Sequence, residues 1–391
     1  MTEIADVPAY EIPFDQSEYD DRLERLRRAM EEQRLDGLIL TEPSDIFYLS
    51  GYDTQGFWAY QAMIIPADGP LTLVCFVEEV LHAEARGLQH AGYAFGGDHI
   101  RMTVETVERC GLGNGRIGVD IWGRYLPTGV YQELERALPA ELVDIAGMAE
   151  RQRLVKSPAE VAYIREAAAI SNEVMGRVYD TLRIGINDRE VASILGCDSI
   201  RLGSDYFAMG PYVRFGPTMV EGHLTWQGRT FDPGHVAELE VAAVRRRYNA
   251  PILRYAVAGP IEGDLAVCAE AVQLGMEAVR EATRPGAVGS EVRQAAYEVG
   301  TDHLRRNGVE ATYLPGGYSV GIGYPPDWTE ADIITASSDY VLQPNVLFHF
   351  VSFFQLPESR VGTSDVVLVT EDGCEFLNTL QPGPVAVGDK V

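Results

Sequence analysis

The sequence predicts an α/β domain followed by an α+β domain, on three observations. Short apolar strand segments alternate with helical ones through the first part of the chain. A well-marked helix start follows at Ser157. Beyond it the pattern changes to long amphipathic helices and longer, antiparallel-looking strands. A chain of 391 residues is long enough for two cores, and the domains are placed at 1–155 and 156–391.

Taken in order, Ser17–Gln33 carries Leu23, Leu26 and Met30 at helical spacing, with Ser17 as the expected N-cap. Asp36–Pro43 reads as a buried strand, and two further short strands are expected within FYLSGYDTQGFWAYQAMIIP, around a glycine-rich aromatic turn. Leu71–Val77 and Arg116–Trp122 add strands to a mixed or parallel sheet. In RLVKSPAE, Ser157 caps a helix, Pro158 takes the first helical position and Glu160 closes a capping box. Val161, Ile164, Ala168 and Val174 then mark the apolar face of a long helix. A helix pair is expected at Asp264–Ala282 and Ser290–Asn307. Strands are expected in HVAELEVAAV, YNAPILRYAVAG, NVLFHFVSFF and TSDVVLVTEDG. The two helix-plus-hairpin halves suggest a diverged internal duplication.

Charge narrows the function classes. The formal net charge is −26, and only Lys156 and Lys390 among the cations are lysine. Such a surface repels nucleic acid and anionic membrane, so neither is an expected partner. An acidic, lysine-poor surface suits a salt-rich cytoplasm, where ions screen its self-repulsion. No apolar run reaches membrane-spanning length and no basic-then-apolar leader opens the chain, so a cytoplasmic protein is expected. Cys75, Cys110, Cys197, Cys268 and Cys374 form no metal-ligand or redox spacing and are expected as buried free thiols.

Several longer blocks carry a family resemblance: RLVKSPAE, TEPSDIFYLSGYD, HLTW at His223–Trp226, the Glu240 strand ending in RYNAP, GYSVGIGYPPDW at Gly317–Trp328, and a closing LVTEDG. Together the chain resembles the creatinase/aminopeptidase superfamily of pita-bread fold over essentially its whole length. The resemblance implies five metal ligands, two Asp, one His and two Glu, in the metal-dependent members. Laid on this chain they fall on Glu240, Pro251, Tyr318, Val351 and Ser364. Four of these cannot supply the required ligand, so no metal or other cofactor is expected. The nearest likeness is to the metal-free branch, the ectoine hydrolases. Creatinase fits less well, because its two guanidinium-holding Glu positions fall on Leu253 and Ser364.

The resemblance implies a metal-independent hydrolase of a non-peptide C–N bond in a small zwitterionic cyclic amidine, above all ectoine or hydroxyectoine, opened to an N-acetylated diaminobutyrate. An amidinium spreads its charge over N–C–N and meets a carboxylate through two parallel hydrogen bonds. Glu240, in the apolar run ELEVAAV, is placed to hold that cation or attack its carbon; the alternative is a remnant salt-bridged to an Arg. His223, in a Gly- and Pro-rich loop, falls on the superfamily's catalytic histidine and would move the proton. The substrate carboxylate calls for an Arg fork, for which Arg247 and Arg254 are the candidates, then Arg214; RRRY reads equally as a solvated charge run. Tyr318, Tyr324, Asp327 and Trp328 complete the substrate-binding set, and Phe57, Trp58 and Tyr60 are a further aromatic wall or simply core. The resemblance implies a homodimer in which the N-terminal domain lies near the partner's active site. The remaining histidines, His349 included, read as strand or surface residues. The alternatives are hydrolysis of another amidine, guanidino or amide compound, favoured by departures in Phe353–Ser364, and a non-catalytic protein that binds a ligand or a protein partner.

Overall fold

A computed structural model describes residues 12–388, apart from 217, 218, 220 and 221. Lys390 and the acidic start of the chain lie outside the described residues. Contacts divide the chain into two compact units, one ending at Arg153 and the other beginning at Leu154.

The first unit comprises α1 (Gln16–Glu32), β1 (Gly37–Leu40), α2 (Pro43–Ser50), β2 (Ala62–Pro66), β3 (Thr72–Phe76), α3 (Val80–Ala85), β4 (Gln89–Tyr93), α4 (His99–Arg109), β5 (Arg116–Val119), α5 (Thr128–Ala137), β6 (Glu141–Asp144) and α6 (Met148–Arg153). Its six strands form one sheet in the order β4-β3-β2-β1-β5-β6. The pairings β1–β2 and β2–β3 are antiparallel and the other three parallel, so the sheet is mixed. Two local expectations are corrected. The N-cap of α1 lies two residues earlier than expected, at Asp15 rather than Ser17. Phe47–Ser50 is helical rather than a strand, because Pro43 opens α2 and Gly51, at φ 67°, stops it in the left-handed region.

The second unit contains α7 (Pro158–Thr181), α8 (Asp188–Ser193), α9 (Ser199–Arg201), β7 (Tyr212–Phe215), β8 (Val236–Arg245), β9 (Tyr248–Ala258), α10 (Gly263–Ala282), α11 (Gly289–Asn307), β10 (Thr312–Tyr324), β11 (Asp327–Thr329), β12 (Leu347–Gln355), β13 (Arg360–Val369), β14 (Cys374–Phe376) and β15 (Pro384–Val387). The Ser157 capping box is present, and Glu160 also accepts a hydrogen bond from Tyr248 Oη at 2.8 Å, tying the helix start to β9. The strands run β14-β13-β12-β10-β9-β8-β7, with β11 on β10 and β15 on β9. Between β10 and β9 only Ile322 and Tyr248 pair, so the sheet has two halves hinged at one register point.

Alternation along the strands decides what each face carries. Leu239, Val241 and Ile252 pack with Val174, Met175 and Val178 of α7. Phe348, Phe350 and Val367 pack with Met276 and Val279 of α10 and Val292 of α11. Helix α7 covers this side of one half and the α10–α11 pair that of the other, the pita-bread arrangement that the resemblance implies. Lys156 is buried beside the strands, with Nζ donating to Glu330 Oε2 at 2.7 Å and Ser319 Oγ at 2.9 Å. All five cysteines are free; Cys75 and Cys268 are buried, whereas Cys197 is exposed, against expectation. Among the described residues no helix is long and apolar enough to cross a membrane.

Candidate active site

The face of the second unit turned away from the helices collects the five positions singled out above. Glu240 is paired in register with Tyr212 on β7 and Leu253 on β9, and Pro251 with Ala242, so these side chains share one face. Across the hinge, Tyr318 pairs with His349, and Val351 with Gly316 and Ser364. Leu253 and Val351 pack in one cluster with Tyr255, which brings the two halves together. Asp365, one residue on from Ser364, points the other way.

Two carboxylates lie on this face of β8, and their surroundings separate them. Glu238 is buried against Arg214, accepts a hydrogen bond from Tyr255 Oη and has Arg360 Nη1 at 3.7 Å. Its charge is therefore matched. Glu240 is partly buried and, among the described residues, forms no hydrogen bond or ion pair. Burial, and then the nearby Glu238, pushes its pKa up to about 8, with Arg214 opposing. The salt bridge to an Arg weighed as the alternative for Glu240 is not formed among the described residues; Glu238 is the one that pairs with Arg214.

Aromatic rings surround the free carboxylate. Tyr212 meets Trp328 edge-on with centroids 6.4 Å apart, and His223 at 6.1 Å. Trp328 Nε1 donates to Tyr318 Oη at 2.9 Å. Tyr212, Tyr318, Trp328, Ala208 and Ala242 form one cluster. Burial and then Glu240 raise the Tyr212 and Tyr318 phenols, and Asp327 adds to both. His223 is exposed, at a positive φ of 52°. The structure therefore gathers Glu240, His223, Tyr318, Asp327 and Trp328 around Tyr212.

Other expected site residues lie elsewhere. Arg254 pairs in register with Leu239, on the helix side of β9. It is fully buried, donating to Asp365 Oδ1 at 2.8 Å, Thr363 Oγ1 at 2.8 Å and the carbonyls of Leu253, Ser364 and Leu380. Arg247 occupies the β8–β9 turn, where Arg246 and Arg247 have φ of 47° and 69°. Five residues of strand, roughly 17 Å, separate Glu240 from the turn. Its guanidinium stacks 4.2 Å over the Tyr324 ring instead, which places Tyr324 at the turn too. Arg254 is thus committed on the opposite face, whereas Arg247 lies at the turn end of the strands beside the Tyr324–Asp327 pairing. Trp58 and Tyr60 belong to the first unit. Trp58 is exposed against Phe76, and Tyr60 packs on His99 and shares a 3.2 Å hydrogen bond with Thr103.

His349 was missed. It is buried, with Nδ1 2.8 Å from Tyr318 Oη and Nε2 hydrogen-bonded to Ser364 Oγ. Alternation was the available signal, because His349 lies two residues before Val351 and so on the same face. Burial, and then Arg254, push its pKa down to about 3.

Does this face suit a metal pair? Among the described residues no three His, Cys, Asp or Glu side chains converge as ligands. Both His349 nitrogens are committed, and the five positions offer one carboxylate, a phenol and a hydroxyl. The donors do not fit a dinuclear centre.

Residues 22–155 match the creatinase/prolidase N-terminal domain, and residues 162–371 match metallopeptidase family M24. An ectoine hydrolase from Halomonas elongata is 27% identical, covering 94% of this chain and 96% of its own. A probable dipeptidase, PepE of Mycobacterium tuberculosis, is 26% identical over 93% of this chain and 96% of its own. Among solved structures, an Xaa-Pro dipeptidase from Bacillus anthracis superposes with a TM-score of 0.82 at 20% identity, covering 94% of this chain and all of its own, and so shares the fold.

Proposed function

The chain belongs to metallopeptidase family M24, and we propose that within it this protein is a metal-independent hydrolase of a small cyclic amidine, with ectoine or hydroxyectoine as substrate. The observation that carries the reading is the Glu240 carboxylate, without a hydrogen-bond or ion-pair partner among the described residues. It is the one carboxylate among the five positions where the family resemblance expects ligands, and it lies beside an aromatic cluster. The likeness to an ectoine hydrolase along nearly the whole chain supports it.

A carboxyl held neutral near neutrality becomes a strong anion once an amidinium displaces its proton. Glu240 then holds the N–C–N cation through paired hydrogen bonds or attacks its carbon. Tyr212 and Trp328 supply ring faces to a cation at that carboxylate. His223, exposed beside Tyr212, takes the proton from water and returns it to the departing ring nitrogen. Water adds at the amidine carbon, the ring C–N bond breaks, and an N-acetylated diaminobutyrate leaves.

Purified protein incubated with ectoine and with hydroxyectoine, followed by chromatography, tests the assignment. Product formation that is lost in both Glu240→Ala and His223→Ala is expected; no product at any salt concentration overturns it. The similarity to PepE favours a second reading, dipeptide hydrolysis. Cleavage of Xaa-Pro dipeptides with added Mn²⁺ would put that reading in place of the first. The donor set at Glu240, Tyr318 and Ser364 weighs against it.

A further inference from the structure

On the Glu240 face a closed chain of hydrogen bonds has protons that can be counted. Trp328 Nε1–H donates to Tyr318 Oη at 2.9 Å, and the Leu253 amide donates to Ser364 Oγ at 2.8 Å. Neither donor can accept in return. Between the two oxygens sits His349, with Nδ1 toward Tyr318 and Nε2 toward Ser364. Buried and beside Arg254, the imidazole is neutral and carries one hydrogen. Each hydroxyl brings one more. Two of these three hydrogens fill the two links, so one is left over.

Only two arrangements fill both links. In the first, Nδ1–H donates to Tyr318, Ser364 donates to Nε2, and the spare hydrogen is on Tyr318. In the second, Tyr318 donates to Nδ1, Nε2–H donates to Ser364, and the spare hydrogen is on Ser364. The surroundings favour the first. Ser364 is flanked on its own face by Leu253 and Val351, which accept nothing through their side chains. Tyr318 lies within electrostatic reach of Glu240 and Asp327, both of which attract a hydroxyl hydrogen.

We propose that Tyr318 is a catalytic hydrogen-bond donor, its hydroxyl aimed by the His349–Ser364 pair at the oxygen that adds to the amidine carbon above Glu240. The proposal rests on the amidine-hydrolase reading and adds a residue to it. Negative charge grows on that oxygen when the tetrahedral adduct gives up its hydroxyl proton to His223 and expels the ring nitrogen, so the bond is stronger in that transition state than with bound substrate. Tyr318 keeps its proton throughout, and the net transfer stays with His223. His349 and Ser364 are positioning residues: by donating into Tyr318 they turn its hydrogen outward.

The test has two arms. In ¹⁵N-histidine NMR of the intact protein, with the His349 signal assigned by its loss in His349→Leu, the neutral Nδ1–H tautomer is expected. In kinetics on ectoine, Tyr318→Phe is expected to lower kcat about 100-fold with KM changed by less than about threefold. His349→Leu should lose activity similarly, while His349→Asn, whose amide N–H reaches the Nδ1 position, should recover most of it. An Nε2–H tautomer, or a Tyr318→Phe enzyme with wild-type kcat, overturns the proposal and leaves the amidine reading standing. An Nδ1–H tautomer with no turnover of any amidine sinks the amidine reading, and with it this use of the aimed hydroxyl.

Discussion

At the scale of single residues, the distinction that matters is between Glu238 and Glu240. Both are on one face of β8, but Arg214 and Tyr255 match the first while the second has no such partner among the described residues. The folded pKa of Glu240, about 8, lies above the ordinary carboxylate range. Its contribution to stability is therefore fully present below the unfolded pKa and is lost as pH rises through about 8. Glu240→Gln removes that loss, so thermal unfolding should show the variant gaining on wild type as pH rises through that window, while turnover is abolished. Equal pH profiles for the two proteins would contradict the raised pKa. Binding has the opposite sign. A cationic substrate needs the ionised form, so its affinity should rise toward pH 8 and level off, with proton uptake by buffer below that point seen in calorimetry. A pH-independent affinity would mean that the cation is held elsewhere.

At the scale of elements, local chemistry was readable and long-range orientation less so. The start of α7 was legible because Ser157, Pro158 and Glu160 act on one another within a single turn. Ser157→Ala should lower the unfolding free energy of the second unit by about 1 kcal/mol, measured by denaturant, without changing kcat. The aromatic run in α2 read as strand because Phe and Tyr favour sheets, and the framing Pro43 and Gly51 were given too little weight. The common face of Glu240, Tyr318 and Ser364 followed from the resemblance and strand alternation. The same alternation turns Arg254 away from Leu253 and brings His349 in beside Val351. The position of Arg247 was not legible, because Arg-Arg is an unusual pair for a turn with two left-handed residues. Gly317 shows how tightly β10 and β12 meet under the site: a Cβ there would lie 2.6 Å from the His349 carbonyl. Gly317→Ala should force the strands apart, destabilise the fold by about 2 kcal/mol and reduce kcat through Tyr318 and His349, as calorimetry and kinetics on the same sample would show.

At the scale of the whole molecule, composition and donor chemistry lead to separate predictions. With one carboxylate at the five ligand positions, hydrolysis should be unchanged by chelator and by added Mn²⁺ or Zn²⁺; loss of activity in chelator would end the metal-independent reading. A net charge of −26 repels itself. Raising salt from about 0.1 M to about 1 M shortens the screening length from about 10 Å to about 3 Å, so the unfolding temperature should climb over that range. A flat response would count against salt adaptation. The homodimer that the family resemblance implies should sediment at twice the chain's 43.0 kDa, and a single-chain mass would set that expectation aside. The buried ion pair of Lys156 with Glu330 has a chemical consequence of its own. Lys156 is the only lysine among the described residues, so an acylating reagent aimed at amines finds none exposed on that folded body. Labelling of Lys156 then becomes a covalent clock, advancing only when the second unit opens and reading its opening rate by mass spectrometry.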